Sequence, residues 1–182
     1  MTVPIPFPIR RPIVAVIGAA AAEPALLEQA GEAGRAIAER GWHLLCGGGG
    51  GVMETACRGF AAARSEPGIV SIGLLPGDDA GLANPFVDVS LPTGIGFARN
   101  AVIARSADGL IAVGGCAGTL SEIALAWQMG KPIVAIASSG GWAARLAGQS
   151  VDGRREDPVL AAGTAQEAVS LLAPLLPGGD GR

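Results

Sequence analysis

Several residue types are scarce in this chain. Tyrosine is absent from the 182 residues, while lysine and histidine occur once each, as Lys131 and His43. The other basic residues are scattered arginines and the net charge is −3, so there is no basic patch for a nucleic acid. Three cysteines without a C-x-x-C pair argue against a disulfide framework and a zinc site. We therefore expect no nucleic-acid partner, no metal site and a cytoplasmic protein with reduced thiols.

Long apolar runs are missing as well. No stretch reaches the ~20 apolar residues that span a bilayer, so we expect no membrane partner. Four prolines interrupt the first twelve residues, and Arg10-Arg11 follows the apolar part instead of preceding it, which is wrong for a signal peptide. We expect a proline-rich lead over residues 1–12, one domain over 13–175 and a flexible tail over 176–182.

Glycine, in contrast, is abundant, with 29 residues. Between the glycines, short β-branched runs alternate with segments of helical period. The strand-like runs are 13–17, 42–46, 69–72, 86–89, 110–113 and 133–136, and the helical segments are 26–38, 52–64, 97–106, 119–129 and 164–172. Because several strand-like runs are apolar throughout, they suit parallel strands that are covered on both faces. The sequence predicts an α/β fold: a single Rossmann-like, doubly wound domain with a mainly parallel sheet and helices on both faces.

Two glycine-containing loops follow the first two strand-like runs, at the edge where such sheets bind ligands. The first loop begins with Gly18 and Ala19, and an ordinary turn explains it equally well. The second loop consists of Gly47, Gly48, Gly49, Gly50 and Gly51, with Met53 shortly after it. Five glycines carry an entropic cost that a structural turn does not require, whereas free N–H groups at a helix N-terminus suit an anion. We therefore favour a phosphate-binding loop over a flexible loop without a ligand.

A third loop links another buried strand to a helix. It contains Gly114, Gly115, Cys116, Ala117, Gly118 and Thr119. The spacing Thr119-x-x-Glu122 matches a capping box, in which Thr119 caps the helix and Glu122 reaches back to it. Spacing alone favours this cap over a general base or cation stabiliser at Glu122. Cys116 has no histidine close in sequence to serve as its base, so a small filler is favoured over a nucleophile.

A fourth segment, with Thr93 and Gly94, leads into a helix that begins near Arg99 and Asn100. An arginine in the first turn of a helix opposes the helix dipole, which prefers anions there. A bound phosphate would remove that objection, and a surface salt bridge is the alternative. Arg99 is therefore a candidate phosphate ligand.

Together, these segments resemble the Lonely Guy (LOG) superfamily of Rossmann-like proteins, once called "possible lysine decarboxylases". The chain is most similar to its molybdenum-cofactor-carrier-like branch. Residues 46–54 resemble the superfamily segment G-G-x-x-G-[VL]-M-[EG], and residues 114–122 resemble P-G-G-x-G-T-x-x-E. The segments 73–79, 83–85 and 91–100 look like the carrier-like branch in particular. The resemblance extends from Ile13 to Ile136.

This resemblance implies two activities. Carrier-like members bind molybdenum cofactor, a pterin that bears a phosphate, without a reaction. LOG enzymes hydrolyse the N-glycosidic bond of nucleoside 5′-monophosphates to free base and ribose 5-phosphate, with no cofactor, and Arg99 and Glu122 match their catalytic arginine and glutamate. A nucleotide-sensing subunit would use the same pocket. Both named groups form homo-oligomers, so the resemblance also implies a homodimer or homotetramer.

The chain departs from the enzyme pattern at several positions. Asn100 stands where the enzymes often have lysine, Cys116 replaces a glycine, and Ala19 and Ala20 replace a common serine pair. These changes favour binding of a phosphorylated heterocycle, either molybdenum cofactor or a nucleotide, over hydrolysis. Lys131 lies just ahead of a strand, away from the glycine loops, which argues against a lysine decarboxylase. The predicted binding set comprises the residues named in the three loops with Met53, Thr93, Gly94, Arg99 and Asn100.

Overall fold

The computed structural model describes residues 10–178, so most of the predicted lead and the last four residues of the predicted tail lie outside the described residues. The strands are β1 Ile13–Gly18, β2 His43–Cys46, β3 Ser71–Leu75, β4 Val89–Pro92, β5 Gly109–Val113, β6 Ile133–Ile136 and β7 Leu160–Ala162. The helices are α1 Pro24–Glu39, α2 Val52–Ala63, α3 Arg99–Ser106, α4 Ala117–Gln128, α5 Gly141–Leu146 and α6 Ala165–Leu172. None of the helices in this part of the chain is long and apolar enough to cross a membrane.

The strands form one parallel sheet in the order β4-β3-β2-β1-β5-β6-β7. The chain proceeds outward from β1 to β4 and then returns to the other side of β1 with β5. The strand order therefore reverses between β1 and β5, where Gly18 pairs with Val113. Ligands of doubly wound sheets bind beyond the carboxyl ends of the strands at such a reversal. The predicted Rossmann-like α/β fold is confirmed.

Helices cover both faces of the sheet. Side chains alternate along β1, so Val14 and Val16 lie in one core with α1, α2 and α6, and Ala15 and Ile17 lie in the other with α3, α4 and α5. Trp127 of α4 is fully buried in the second core. Burial on both faces explains why the strands are apolar at consecutive positions.

Helices α1 and α2 pack closely because both carry glycine at the contact. A Cβ atom at Gly34 would lie 1.9 Å from the carbonyl oxygen of Ala56, and one at Gly59 would lie 2.0 Å from that of Gly31. No real Cβ atom approaches a backbone oxygen so closely. Part of the glycine content therefore serves helix packing and not ligand binding.

Some elements differ from the prediction. Strands β3 and β4 begin two and three residues later than expected, because Asp88 and Ser71 bond to each other at the strand entries. The Asp88 carboxylate accepts hydrogen bonds from the Ser71 N–H and hydroxyl at 2.8 and 3.0 Å. Neither α5 nor β7 was predicted, since they have only six and three residues. Leu176, the first residue of the predicted tail, is 5% exposed and packs in the first core.

Candidate functional site

A cavity of about 390 Å³ opens beyond the carboxyl ends of β1 and β5. The end of β1 and its loop form one wall, and α2, α3 and the start of α4 form the others. The predicted residues that line it are Gly18, Ala19, Gly47, Met53, Arg99, Asn100, Cys116, Gly118, Thr119 and Glu122. Residues from four separate segments of the sequence therefore meet at the place where the strand order reverses.

Five further residues line the cavity that sequence reasoning did not select. They are Val16, Ile17, Ala20, Ala21 and Phe97. Phe97 lies in a short 3-10 helix just before α3, and it is 88% exposed. A phenylalanine two residues before the candidate phosphate ligand Arg99 was the signal in the sequence that could have identified it.

Other predicted binding residues do not line this cavity. They are Gly48, Gly49, Gly50, Gly51, Thr93, Gly94 and Ala117, while Gly114 and Gly115 line a neighbouring cavity. The Asn84 side-chain amide donates hydrogen bonds to the carbonyls of Gly48 and Gly49, at 3.2 and 3.0 Å. The Thr93 hydroxyl donates to the carbonyl of Leu75 at 2.8 Å. Asn84, which fixes the shape of the glycine loop, was not predicted.

Arg99 and Glu122 form a buried ion pair in the cavity wall. Arg99 Nη1 lies 3.5 Å from Glu122 Oε1, and the two side chains are 13% and 8% exposed. Burial raises the pKa of Glu122 to about 7, although the positive charge of Arg99 opposes this shift. Arg99 Nε is buried and has no hydrogen-bond partner among the described residues. Near neutral pH, Glu122 therefore neutralises Arg99 only in part.

The first glycine of the second loop makes room for Arg99. A Cβ atom at Gly47 would lie 2.5 Å from each terminal nitrogen of Arg99 and 2.7 Å from Met53 Sδ. Glycine is therefore required there for close approach to a side chain, which is one of the uses that the residue's missing Cβ allows.

Helix α4 begins earlier than the capping-box spacing implies, so the predicted cap is wrong. Cys116 occupies the N-cap position and α4 starts at Ala117, with no side-chain hydrogen bond at the cap. Gly114 and Gly115, at φ 61° and 92°, make the turn that starts the helix before Thr119. Thr119 lies within the first turn and Glu122 lies beyond it, so neither can cap.

The early start of α4 brings its free N–H groups to the cavity. The N–H of Leu120 bonds to the carbonyl of Cys116 at 3.0 Å, whereas the preceding N–H groups of the first turn have no acceptor within the helix. The buried Asn100 amide donates to Ser121 Oγ at 2.7 Å and ties α3 to this turn. An unpaired helix N-terminus beside Arg99 is suited to an anion.

Of the other candidate residues, His43 and Lys131 lie away from the cavity, two cysteines lie in the core, and Cys116 lies at the cavity rim. His43 Nδ1 accepts a hydrogen bond from the N–H of Val70 at 3.1 Å, and Lys131 Nζ donates to the carbonyl of Ala107 at 2.6 Å. Cys46 and Cys57 are buried with their sulfur atoms 3.5 Å apart. Cys116 is exposed at the cavity rim.

Residues 11–169 match the model of the SLOG cluster4 family. The molybdenum cofactor carrier protein of Chlamydomonas reinhardtii is 35% identical, with a TM-score of 0.78 over 91% of this chain and 98% of that chain. The molybdenum cofactor binding protein of Rippkaea orientalis is 33% identical, with a TM-score of 0.78 over 91% and 97%. A cytokinin riboside 5′-monophosphate phosphoribohydrolase of Mycobacterium marinum is 33% identical over 125 residues, which are 68% of this chain and 65% of the enzyme.

These similarities agree with the strand order and with the sequence segments that meet at the cavity. The predicted resemblance to LOG-related Rossmann-like proteins, in their molybdenum-cofactor-carrier-like branch, is confirmed. The family model covers most of the chain. The chain belongs to the SLOG cluster4 family.

Proposed function

We propose that the protein binds a phosphorylated heterocycle in the first cavity, and that this ligand is molybdenum cofactor, as in a cofactor carrier. The observation that carries the proposal is the position of Arg99 next to the unpaired N-terminus of α4. Both attract a phosphate, the first through its charge and the second through N–H groups and the helix dipole. Two solved structures of similar fold, at 33–35% identity, are named for the same ligand.

The phosphate of the ligand would bind Arg99 and the first turn of α4. Because burial raises the pKa of Glu122 to about 7, the glutamate loses much of its negative charge at slightly acidic pH. An approaching phosphate then meets less repulsion from Glu122 and less competition for Arg99. These residues therefore fit the anionic end of the cofactor.

The heterocycle of the ligand would bind the apolar walls of the same cavity. Ile17 and Met53 line its interior, and the exposed Phe97 ring lies at its edge. A flat ring can stack on Phe97 and contact the soft sulfur of Met53. In this account the molybdenum travels with the pterin as cargo, and the protein's own residues bind and orient the organic part.

The alternative function is hydrolysis of nucleoside 5′-monophosphates. It is supported by the presence of both Arg99 and Glu122 and by the similarity to the mycobacterial phosphoribohydrolase. Glu122 would have to be ionised to stabilise an oxocarbenium-like sugar or to activate water. Ala19 and Ala20 supply no hydroxyl to the ligand, so the site favours binding over turnover.

A turnover assay separates the two functions. The protein is incubated with AMP, GMP, CMP and UMP, and free base is followed by chromatography, with Glu122→Gln as the matched variant. The carrier proposal predicts no release above background for either protein. Release that requires Glu122 would overturn the carrier-only proposal in favour of the hydrolase.

We also propose that the protein acts in the cytoplasm as a homodimer or homotetramer. Three large apolar side chains, Leu91, Ile95 and Phe97, are 44%, 50% and 88% exposed along β4 and the segment that leads to α3. Large exposed apolar side chains within one short segment are typical of a protein interface. Because Phe97 also lines the cavity, self-association at this surface would shield the ligand.

A further inference from the structure

A second cavity, of about 600 Å³, lies directly beside the first. The loop after β1, the start of α1 and the segments after β5 and β6 form its walls. Ala19, Ala21 and Cys116 line both cavities. The two cavities therefore share a rim that runs between the loop after β1 and the N-cap of α4.

We propose that the second cavity binds the nucleoside half of a pyrophosphate-linked, dinucleotide form of the ligand, whose pterin half occupies the first cavity. This inference rests on the proposed function. Doubly wound folds bind dinucleotides across the crevice where the strand order reverses, with the pyrophosphate at a helix N-terminus. Here the reversal lies between β1 and β5, which is where the two cavities meet.

The shared rim is suited to a pyrophosphate. Cys116 is the N-cap of α4, a helix of 12 residues, and Gly118 and Thr119 in its first turn line the first cavity. Free N–H groups of this turn and the positive end of the helix dipole would face the bridging phosphates. Across the rim, Ala19 and Ala21 have small side chains that leave the backbone accessible.

The polar residues of the second cavity suit sugar hydroxyls. Glu23, Gln29 and Ser138 line it, and no arginine or lysine is among its lining residues. Gln29 Nε2 donates to Ser138 Oγ at 3.3 Å, and the Ser138 hydroxyl donates to the carbonyl of Gly163 at 3.5 Å. A carboxylate, an amide and a hydroxyl together bind hydroxyl groups, whereas a second terminal phosphate would find no cation there.

The apolar part of the same cavity suits a nucleobase. Ala22, Ala25 and Leu26 form one side, and glycine backbone forms the other. A Cβ atom at Gly141 would lie 2.5 Å from the carbonyl oxygen of Gly115, so these two loops pack backbone against backbone. A wall of exposed backbone and small apolar side chains can accept a flat ring.

The experiment compares two forms of the pterin cofactor, the monophosphate form and its guanine dinucleotide form. Binding is measured by equilibrium dialysis, with pterin quantified by fluorescence after oxidation. Ser138→Trp places an indole in the second cavity, and Gln29→Leu removes its amide. Ser170→Trp, on the exposed side of α6, is the matched control.

We expect the dinucleotide form to bind about tenfold more tightly than the monophosphate form, since even one well-made additional contact is worth that factor. Ser138→Trp should abolish this gain and Gln29→Leu should reduce it, with the monophosphate affinity unchanged in both. Ser170→Trp should change neither affinity. Equal affinities for the two forms, or a gain that survives Ser138→Trp, would overturn the inference while leaving the proposed function intact. Binding of neither form would overturn both.

Discussion

Burial holds the Glu122 carboxyl at a pKa of about 7, and Arg99 opposes that shift from 3.5 Å away. The protonation of this one residue therefore sets the charge of the cavity across the physiological pH range. A neutral glutamate leaves Arg99 available to a phosphate, and an ionised glutamate competes for it. A carrier and a hydrolase need opposite states of the same carboxyl.

The first prediction concerns the pH dependence of ligand affinity. As pH falls from about 8 to about 6.5, a range in which a phosphate monoester keeps most of its charge, affinity for the pterin cofactor should increase. Calorimetric titration of the wild type and Glu122→Gln measures this dependence. The variant should show a much flatter profile. Affinity that instead increases with pH in the wild type alone would show that the ionised carboxylate assists binding.

The second prediction concerns stability. Since the folded-state pKa of Glu122 is raised from 4.5 to about 7, the folded protein keeps a proton that the unfolded chain loses. Stability is therefore lost as pH rises from about 4.5 to about 7 and is level above that range. The loss corresponds to ~3 kcal/mol. Urea unfolding should show that Glu122→Gln gains stability over the wild type at about pH 8 but not at about pH 4.5. If the unfolding free energies of Glu122→Gln and the wild type differed by the same amount at both pH values, the raised pKa of Glu122 would be contradicted.

The third prediction separates Arg99 from the other arginine of its helix. Arg99→Met should weaken binding of the phosphorylated ligand at least tenfold, because a charge-assisted contact of about 1.5–3 kcal/mol is lost. Arg105→Met is the matched control, since Arg105 is exposed at the far end of α3. Dialysis with the pterin cofactor measures both. Equal affinities of the two variants would place the phosphate elsewhere.

Arg99 and Glu122, both candidate site residues from the sequence, line the cavity, but the spacing alone favoured a helix cap for Glu122. Arg99 could be found because a cation in a first helical turn opposes the helix dipole. The capping assignment of Glu122 depended on where α4 starts, and two glycines with positive φ move that start ahead of Thr119. Phe97 was missed although its position two residues before Arg99 was a usable signal. Asn84 was missed because its contact with the glycine loop forms only when the two loops meet in the fold.

At the scale of elements, the pair of helices α1 and α2 shows how glycine controls packing. Gly34→Ala should destabilise the protein by about 2 kcal/mol or more, because its Cβ would overlap the carbonyl of Ala56 and separate the helices. Gly31→Ala is the matched control in the same helix, since its Cβ would lie 3.3 Å from a side-chain methyl of Thr55 and 3.7 Å from the Thr55 carbonyl oxygen, without overlap. Chemical unfolding measures both variants. Similar unfolding free energies would contradict the close contact.

The longer elements could be predicted from the sequence, and the shorter ones could not. Periodicity identified β1, β5 and β6 and the long helices within a few residues, since each buries a continuous apolar face. Helix α5 begins at two glycines with positive φ, Gly140 and Gly141. In the sequence, two adjacent glycines indicate a loop and not the start of a helix. Strand β7 has three residues and forms only because β6 offers an edge for pairing.

At the scale of the whole molecule, the exposed apolar surface is expected to mediate self-association. Exchanging both Leu91 and Ile95 for serine should shift the protein towards monomer, because apolar area is then lost from the interface. Leu175→Ser, at another exposed leucine, is the control. Sedimentation velocity measures all three proteins. A monomeric wild type, or an assembly unaffected by the double exchange, would contradict the proposed interface.

The proposed function requires that the cavity at the strand reversal carries a phosphorylated pterin. Its most direct test is the amount of oxidised pterin recovered from denatured protein after incubation with molybdenum cofactor and removal of the unbound ligand. We expect close to one pterin per chain for the wild type, and much less for Arg99→Met. Recovery of no pterin from the wild type, or equal recovery from Arg99→Met, would contradict it.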